Sequence, residues 1–156
     1  MVVDTFTRKK RSEIMGRIRG KDTKPEMAVR RLLRQLRFHF RLHRKDLPGA
    51  PDIVLPRHKI AVLVHGCFWH RHTCRDGKHP KSNSRYWESK IADNQRRDRR
   101  QKLALRRLGW KVITVWECEI RKPETLQKRL SKVLPPEITT HRKGVAVHMF
   151  CRPRLP

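Results

Sequence analysis

Cys67, His72 and Cys74 fall within one eight-residue stretch that has no hydrophobic periodicity. Thiolate and imidazole donors at that spacing suit a tetrahedral zinc ion. A fourth protein ligand would close such a site and make it structural rather than catalytic. Cys118 is available for that place, and Cys151, in the tail, is a weaker candidate. The competing assignment is a set of buried thiols beside an exposed histidine.

A second group of residues suits phosphodiester chemistry. Asp52 follows Pro51 and opens a short apolar run. A carboxylate at the mouth of a sheet can hold Mg²⁺, which polarises a phosphoryl oxygen and activates water; a turn acid is the plainer alternative. His65 and His70 lie downstream, and imidazole is a natural proton carrier near neutral pH. Further along, Ile91, Asn94, Asp98 and Leu105 are spaced by 3, 4 and 7 residues, one stripe of a helix. An amide and an acid therefore share a buried face and need partners. For Asp98 these are a neighbouring arginine among Arg96, Arg97, Arg99 and Arg100, or an active-site histidine, and helix geometry leaves both open. Phe68-Trp69 and Tyr86-Trp87 are paired aromatics that either stack on and wedge between bases or cap the core.

These side chains have to be held by a fold, and the pattern predicts a small α/β one. Ser12 begins a short helical pattern over about 12–19, with Ile14, Met15 and Ile18, closed by Gly20. Thr23-Lys24-Pro25-Glu26 starts a second helix, with Thr23 as N-cap and Glu26 at the capping-box position. Met27, Val29, Leu32, Leu33 and Leu36 form its apolar face. Strands are expected at Phe38–Leu42, Asp52–Leu55, Ile60–His65 and Lys111–Trp116, the last two buried. Helices are expected at Tyr86–Leu108, ended by Gly109, and at Thr125–Leu134, stopped by Pro135 and Pro136. A short apolar stretch at Val145–Phe150 leaves the uncertain basic tail, about 137–156, undecided.

Composition narrows the partners. The chain has 156 residues, which suits a single domain over 1–156, and 37% of them are apolar, enough for one core. No run approaches the roughly 18–20 apolar residues of a spanning helix. Met1–Thr7 lacks the apolar core of a secretion signal, so a cytoplasmic chain without disulfides is expected. Forty Lys and Arg against 14 Asp and Glu give a charge of +26. Such self-repulsion is offset by a polyanion, most commonly nucleic acid. The basic residues are spread along the whole chain, as in a folded basic surface rather than a disordered arm. A non-catalytic DNA-binding module would explain the charge, but not Asp52, His70 and Asp98 together.

The run from His65 to Cys74, HGCFWHRHTC, preceded by Pro48-Gly49-Ala50-Pro51-Asp52, resembles the very short patch repair (Vsr) endonucleases. Arg97-Asp98-Arg99-Arg100, Leu108-Gly109-Trp110 and Val115-Trp116-Glu117-Cys118 extend the similarity, which runs in order from about Ser12 to Leu130. The resemblance implies a fold like the type II restriction endonucleases, a mixed central sheet flanked by helices with a structural zinc site. It implies a DNA mismatch endonuclease that nicks 5′ of the T in T:G mispairs left by deamination of 5-methylcytosine. By the same resemblance, Asp52 and the backbone carbonyl of Val64 would hold catalytic Mg²⁺. His70 would be the catalytic histidine with Asp98 as its partner, and Glu26, His65 and Asn94 would complete the network. Cys67, His72, Cys74 and Cys118 would bind structural Zn²⁺. Phe68, Trp69 and Trp87 would wedge beside the mispair, and Met15 would approach the minor groove. A bacterial, nucleoid-associated monomer is implied, with room for a mismatch-repair helper protein. Val64 stands where better-known members carry Thr, a change to which a backbone ligand is indifferent. The acid-x-Lys half of the general nuclease signature is absent after Asp52, so proton transfer would fall to His70. A related nickase of other specificity would share every one of these residues.

Overall fold

The computed structural model describes residues 13, 20–78 and 83–135. The expected first helix with Met15, and the tail with Cys151, lie outside them. Helix α1 spans Lys24–Gln35 and starts as its sequence requires. The Thr23 hydroxyl accepts the Glu26 N–H, and the Glu26 carboxylate reaches back to the Thr23 N–H, a reciprocal cap. Val29, Leu32 and Leu33 are buried on one face. Met27, expected on that face, is instead 46% exposed.

Four strands follow: β1 (Arg41–Leu42), β2 (Ile53–Leu55), β3 (Ile60–His65) and β4 (Lys111–Trp116). They pair in the order β1-β2-β3-β4, antiparallel except for the parallel β3·β4 pair, so the sheet is mixed. β1 is shorter than the expected Phe38–Leu42, because β2 offers it partners only at Ile53 and Val54. Phe38 turns into the core instead. A parallel pair needs a long crossover, and here it is the loop after His65 followed by α2 (Ser84–Arg107). Among the described residues two further helices follow β4: α3 (Glu117–Ile120), unforeseen in the sequence, and α4 (Pro123–Val133).

Alternation along the strands sorts the core into two layers. Ile53, Leu55, Ile60, Val62, Ile113 and Val115 face α1 and α4, where Val29, Leu33, Leu126 and Leu130 meet them. Val54 and Ala61 face the other way, onto Leu105 of α2 and Leu47. Odd-numbered β3 residues therefore lie on the α2 side, which carries His65 toward α2. β4, expected to be buried throughout, has an exposed Lys111 and then alternates between half-buried and buried residues, because Ile113 and Val115 pack into the α1 and α4 layer while the opposite face is covered less completely.

Two turns fix α2 against the sheet. At its end the Trp110 N–H bonds to the Leu105 carbonyl and the Gly109 N–H to Arg106, with Gly109 at φ +76°. That pairing is the Schellman closure, for which glycine is suited. Toward the end of α2, Gln101 donates to the Gly49 carbonyl at 3.2 Å. Gly49 has φ +71°, and a Cβ there would run into the Gln101 side chain. The turn before Asp52 is thereby pinned to the helix that carries Asp98.

Candidate active site and metal cluster

The carboxyl ends of β3 and β4, the start of β2 and one face of α2 enclose a cavity of about 730 Å³. Asp52, Val64, His65 and His70 line it together with Asn94, Asp98, Glu26 and Trp69. Every residue expected to take part in catalysis thus borders one space. Lys90 and Arg97 border it too, placing two cationic side chains on its wall.

Asp52 is half-buried, and its Oδ2 accepts the Val64 N–H at 2.7 Å. Burial pushes its carboxyl above the usual range; the Val64 N–H opposes that, and the Glu26 charge adds to it. The site therefore offers hard oxygen donors, the kind Mg²⁺ prefers.

The question left open for Asp98 is answered by a histidine. His70 Nδ1 pairs directly with Asp98 Oδ2, and His65 Nδ1 lies 3.8 Å from the same oxygen. Burial alone would raise Asp98, but the hydrogen bond and charge of His70 outweigh it, so the acid sits below its usual range. With Nδ1 engaged by the carboxylate, Nε2 is the ring nitrogen of His70 left to exchange a proton with the cleft. The His65 and His70 rings stack with centroids 3.9 Å apart, 11° from parallel. Burial, and then the neighbouring His70, push His65 down to about 3, so His65 is neutral at physiological pH. Its Nδ1 is buried with no hydrogen-bond partner among the described residues.

The loop between β3 and α2 closes on itself through the His72 N–H and the Cys67 carbonyl at 3.0 Å. This brings Cys67, His72 and Cys74 together, and α3 delivers Cys118 from the far side of the parallel pair. The four donor atoms lie within 4.8 Å of one another. Zn–S bonds of about 2.3 Å separate neighbouring ligand atoms by about 3.8 Å in a tetrahedron, so the quartet fits zinc. Cys118 supplies the fourth donor among the described residues, while Cys151 lies outside them. Burial pushes Cys67 up to about 12, whereas the bond to His72 brings Cys74 down to about 7.

Trp116 is a residue whose importance the sequence did not announce. Its ring stacks on His72 at 4.3 Å and meets His65 edge-on at 5.4 Å, which ties the sulfur cluster to the histidine pair. Only the β3·β4 register, His65 opposite Trp116, brings these rings together. Asn94 donates to the Trp69 carbonyl at 3.0 Å, and Gln95 to the His70 carbonyl at 3.4 Å, so α2 straps down the loop that bears His70. Glu26 is held by Thr23, Asp22 and Arg30. Phe68, Trp69 and Trp87 form a cluster of edge-on rings at 5.1–6.1 Å, with Trp87 buried and the other two half-buried.

The chain has relatives among known proteins. Residues 3–76 match the sequence family described as DNA mismatch endonuclease Vsr. The chain is 38% identical over 125 residues to DNA mismatch endonuclease Vsr of Escherichia coli (strain K12), covering 80% of each protein. The chain belongs to the Vsr family. Within that family it is also 47% identical over 135 residues to Type II nicking enzyme V.XorIIP of Xanthomonas oryzae pv. oryzae, covering 86% of this chain and 99% of that one. Type II nicking enzyme V.NmeAIP of Neisseria meningitidis serogroup A is 43% identical over 133 residues, covering 85% of this chain and 95% of its own. Among solved structures, the Homing Endonuclease I-Bth0305I Catalytic Domain aligns with a TM-score of 0.47 and 19% identity, over 71% of this Vsr chain and 93% of that one.

Proposed function

We propose that this chain is a DNA mismatch endonuclease that nicks the strand 5′ of the T in a T:G mispair by Mg²⁺-dependent phosphodiester hydrolysis. The observation that carries the proposal is the His70–Asp98 pair, set in the same cavity as Asp52 and flanked by an aromatic cluster. The Asp52 carboxylate and the Val64 carbonyl would hold Mg²⁺, which supplies Lewis-acid polarisation of the scissile phosphate when bound. His70, oriented by Asp98, takes the proton of the attacking water. Neutral His65 packs against His70 and keeps its ring in place. Glu26 and Asn94 complete the network from the walls of the cavity.

Phe68 and Trp69, backed by the buried Trp87, supply recognition. A T:G mispair stacks less well than a Watson–Crick pair, so opening the step beside it costs less than the few kcal/mol normally needed. Aromatic wedges can thereby sense the lesion as deformability. Met15, outside the described residues, is assigned to the minor groove on family resemblance alone. Zn²⁺ at Cys67, His72, Cys74 and Cys118 would hold the loop that bears Trp69 and His70. No helix among the described residues is long and apolar enough to cross a membrane. We take the whole chain as one nuclease domain, monomeric, with a restriction-endonuclease-like sheet. It would work in the bacterial cytoplasm at the nucleoid, open to a mismatch-repair helper.

One second reading has support. Two of the relatives are named nicking enzymes without mention of a mismatch, so nicking of another target would use the same residues. The test is a nicking assay on duplexes that differ only in a T:G or C:G pair, with EDTA and His70→Ala controls. Metal-dependent cutting of the T strand alone supports the mismatch assignment. Cutting of both duplexes favours the second reading, and a cutting His70→Ala variant refutes the mechanism.

A further inference from the structure

Behind the wall of the cleft, Asp22, Glu26 and His43 bring ligand atoms within 4.8 Å of one another, an arrangement that suits a cation. The chain supplies that cation itself. Arg30, one helical turn after Glu26, is only 4% exposed and inserts its guanidinium among all three. Nη1 donates to Asp22 Oδ1 at 2.5 Å, and Nη2 to Glu26 Oε2 at 2.9 Å. Nη2 also lies 3.1 Å from His43 Nε2. Nε is buried and has no hydrogen-bond partner among the described residues.

An exposed pair at this helical spacing would be a minor surface contact. A buried one is different, because desolvating a guanidinium and a carboxylate is expensive and is repaid only by good geometry. The contacts of Arg30 also reach beyond its own helix. His43 directly follows β1, and its N–H donates to the Asp52 carbonyl at 3.4 Å. Arg30 thus joins Glu26 to the backbone that carries Asp52, and both acids line the cavity.

We infer that Arg30 is a positioning residue for strand cleavage, clamping Glu26 and, through His43, Asp52 in register across the cleft. This rests on the assignment of the cleft as a Mg²⁺-dependent nicking site. Lysine could keep the charge, but it cannot span three partners with a planar fork.

The test is single-turnover nicking of the T:G duplex across a Mg²⁺ series, with DNA affinity and thermal melting measured on each variant. Arg30→Met should lower the saturated rate about 10–100-fold, the loss expected of one charge-assisted contact. It should also raise the Mg²⁺ needed for half-maximal rate, while DNA affinity changes less than about 3-fold and Arg30→Lys recovers part of the rate. On a Glu26→Gln background, adding Arg30→Met should cost little more, because the two act as a unit. A folded Arg30→Met protein that cuts at the wild-type rate overturns the inference. So do fully additive losses, or a rate loss matched by lost DNA affinity. If Arg30→Met does not fold, Arg30→Lys and His43→Gln decide: slowed cutting with DNA affinity retained supports the clamp, and wild-type rates in both refute it. A wild-type protein that cuts no duplex instead refutes the nuclease assignment, and this inference with it.

Discussion

Replacing Asp98 by asparagine removes one charge and almost no volume from the centre of the cleft. The amide keeps an oxygen that can accept from His70 Nδ1, so the tautomer and ring position are preserved while the electrostatics change. In the ground state the loss is the difference between a charge-assisted bond, about 1.5–3 kcal/mol, and a neutral one, about 0.5–1.5 kcal/mol. When His70 takes up a proton, the missing attraction grows. Two unit charges about 4 Å apart attract by about 4 kcal/mol at an effective dielectric of about 20. Screening is limited here, since the His70 and Asp98 side chains are 14% and 10% exposed. At about 1.36 kcal/mol per decade, Asp98→Asn should slow nicking between about 10-fold and about 10³-fold. His70→Ala should cost about 10²–10⁴-fold, and adding Asp98→Asn to it should cost little more, because the two residues act together. The assay is single-turnover nicking at saturating Mg²⁺, with DNA affinity and melting temperature alongside. A folded Asp98→Asn protein that cuts at the wild-type rate, or additive losses in the double variant, would refute the assignment of Asp98 as the partner of His70.

Further outcomes follow from the same geometry. Burial raises the pKa of Asp52 in the fold, so the folded state binds protons more tightly than the unfolded one. The ionised carboxylate therefore costs stability, increasingly as pH rises from the unfolded value through the folded one. Asp52→Asn should raise the Tm of the metal-free protein at neutral pH while ending cleavage, and a lower Tm would count against that electrostatic account. Cys74→Ala should abolish stoichiometric zinc, measured by atomic emission, and disorder the loop that carries His70; full activity without zinc would show that the cluster is dispensable. Leu33→Ala, at a fully buried position of α1, should cost about 2–5 kcal/mol in denaturant unfolding. A cost under about 1 kcal/mol would mean that the α1 layer is loosely packed.

Local chemistry was legible in the chain before any fold was known. The Thr23–Glu26 cap, the Gly109 closure and the period-2 and period-3.6 patterns are written in neighbouring residues, because caps and amphipathic faces are satisfied within a few positions of sequence. The stripe of Ile91, Asn94, Asp98 and Leu105 is of the same kind, and all four residues are buried. Helix geometry could say that Asp98 needed a partner but not which one, since His70 reaches it only across the crossover between β3 and α2. Cys118 stood as a candidate fourth donor, yet it joins the cluster only because α3 follows directly on β4, beside the loop after β3. Trp116 stood in a stretch shared with the family but with no role attached to it, and Arg30 carried no signal at all. One matters through the parallel register with His65, the other through contacts that link α1 to the end of β1. Residue types and spacing determine which groups are capable of chemistry. Which of them meet is decided by strand pairing and burial, because those contacts join segments that are remote in sequence.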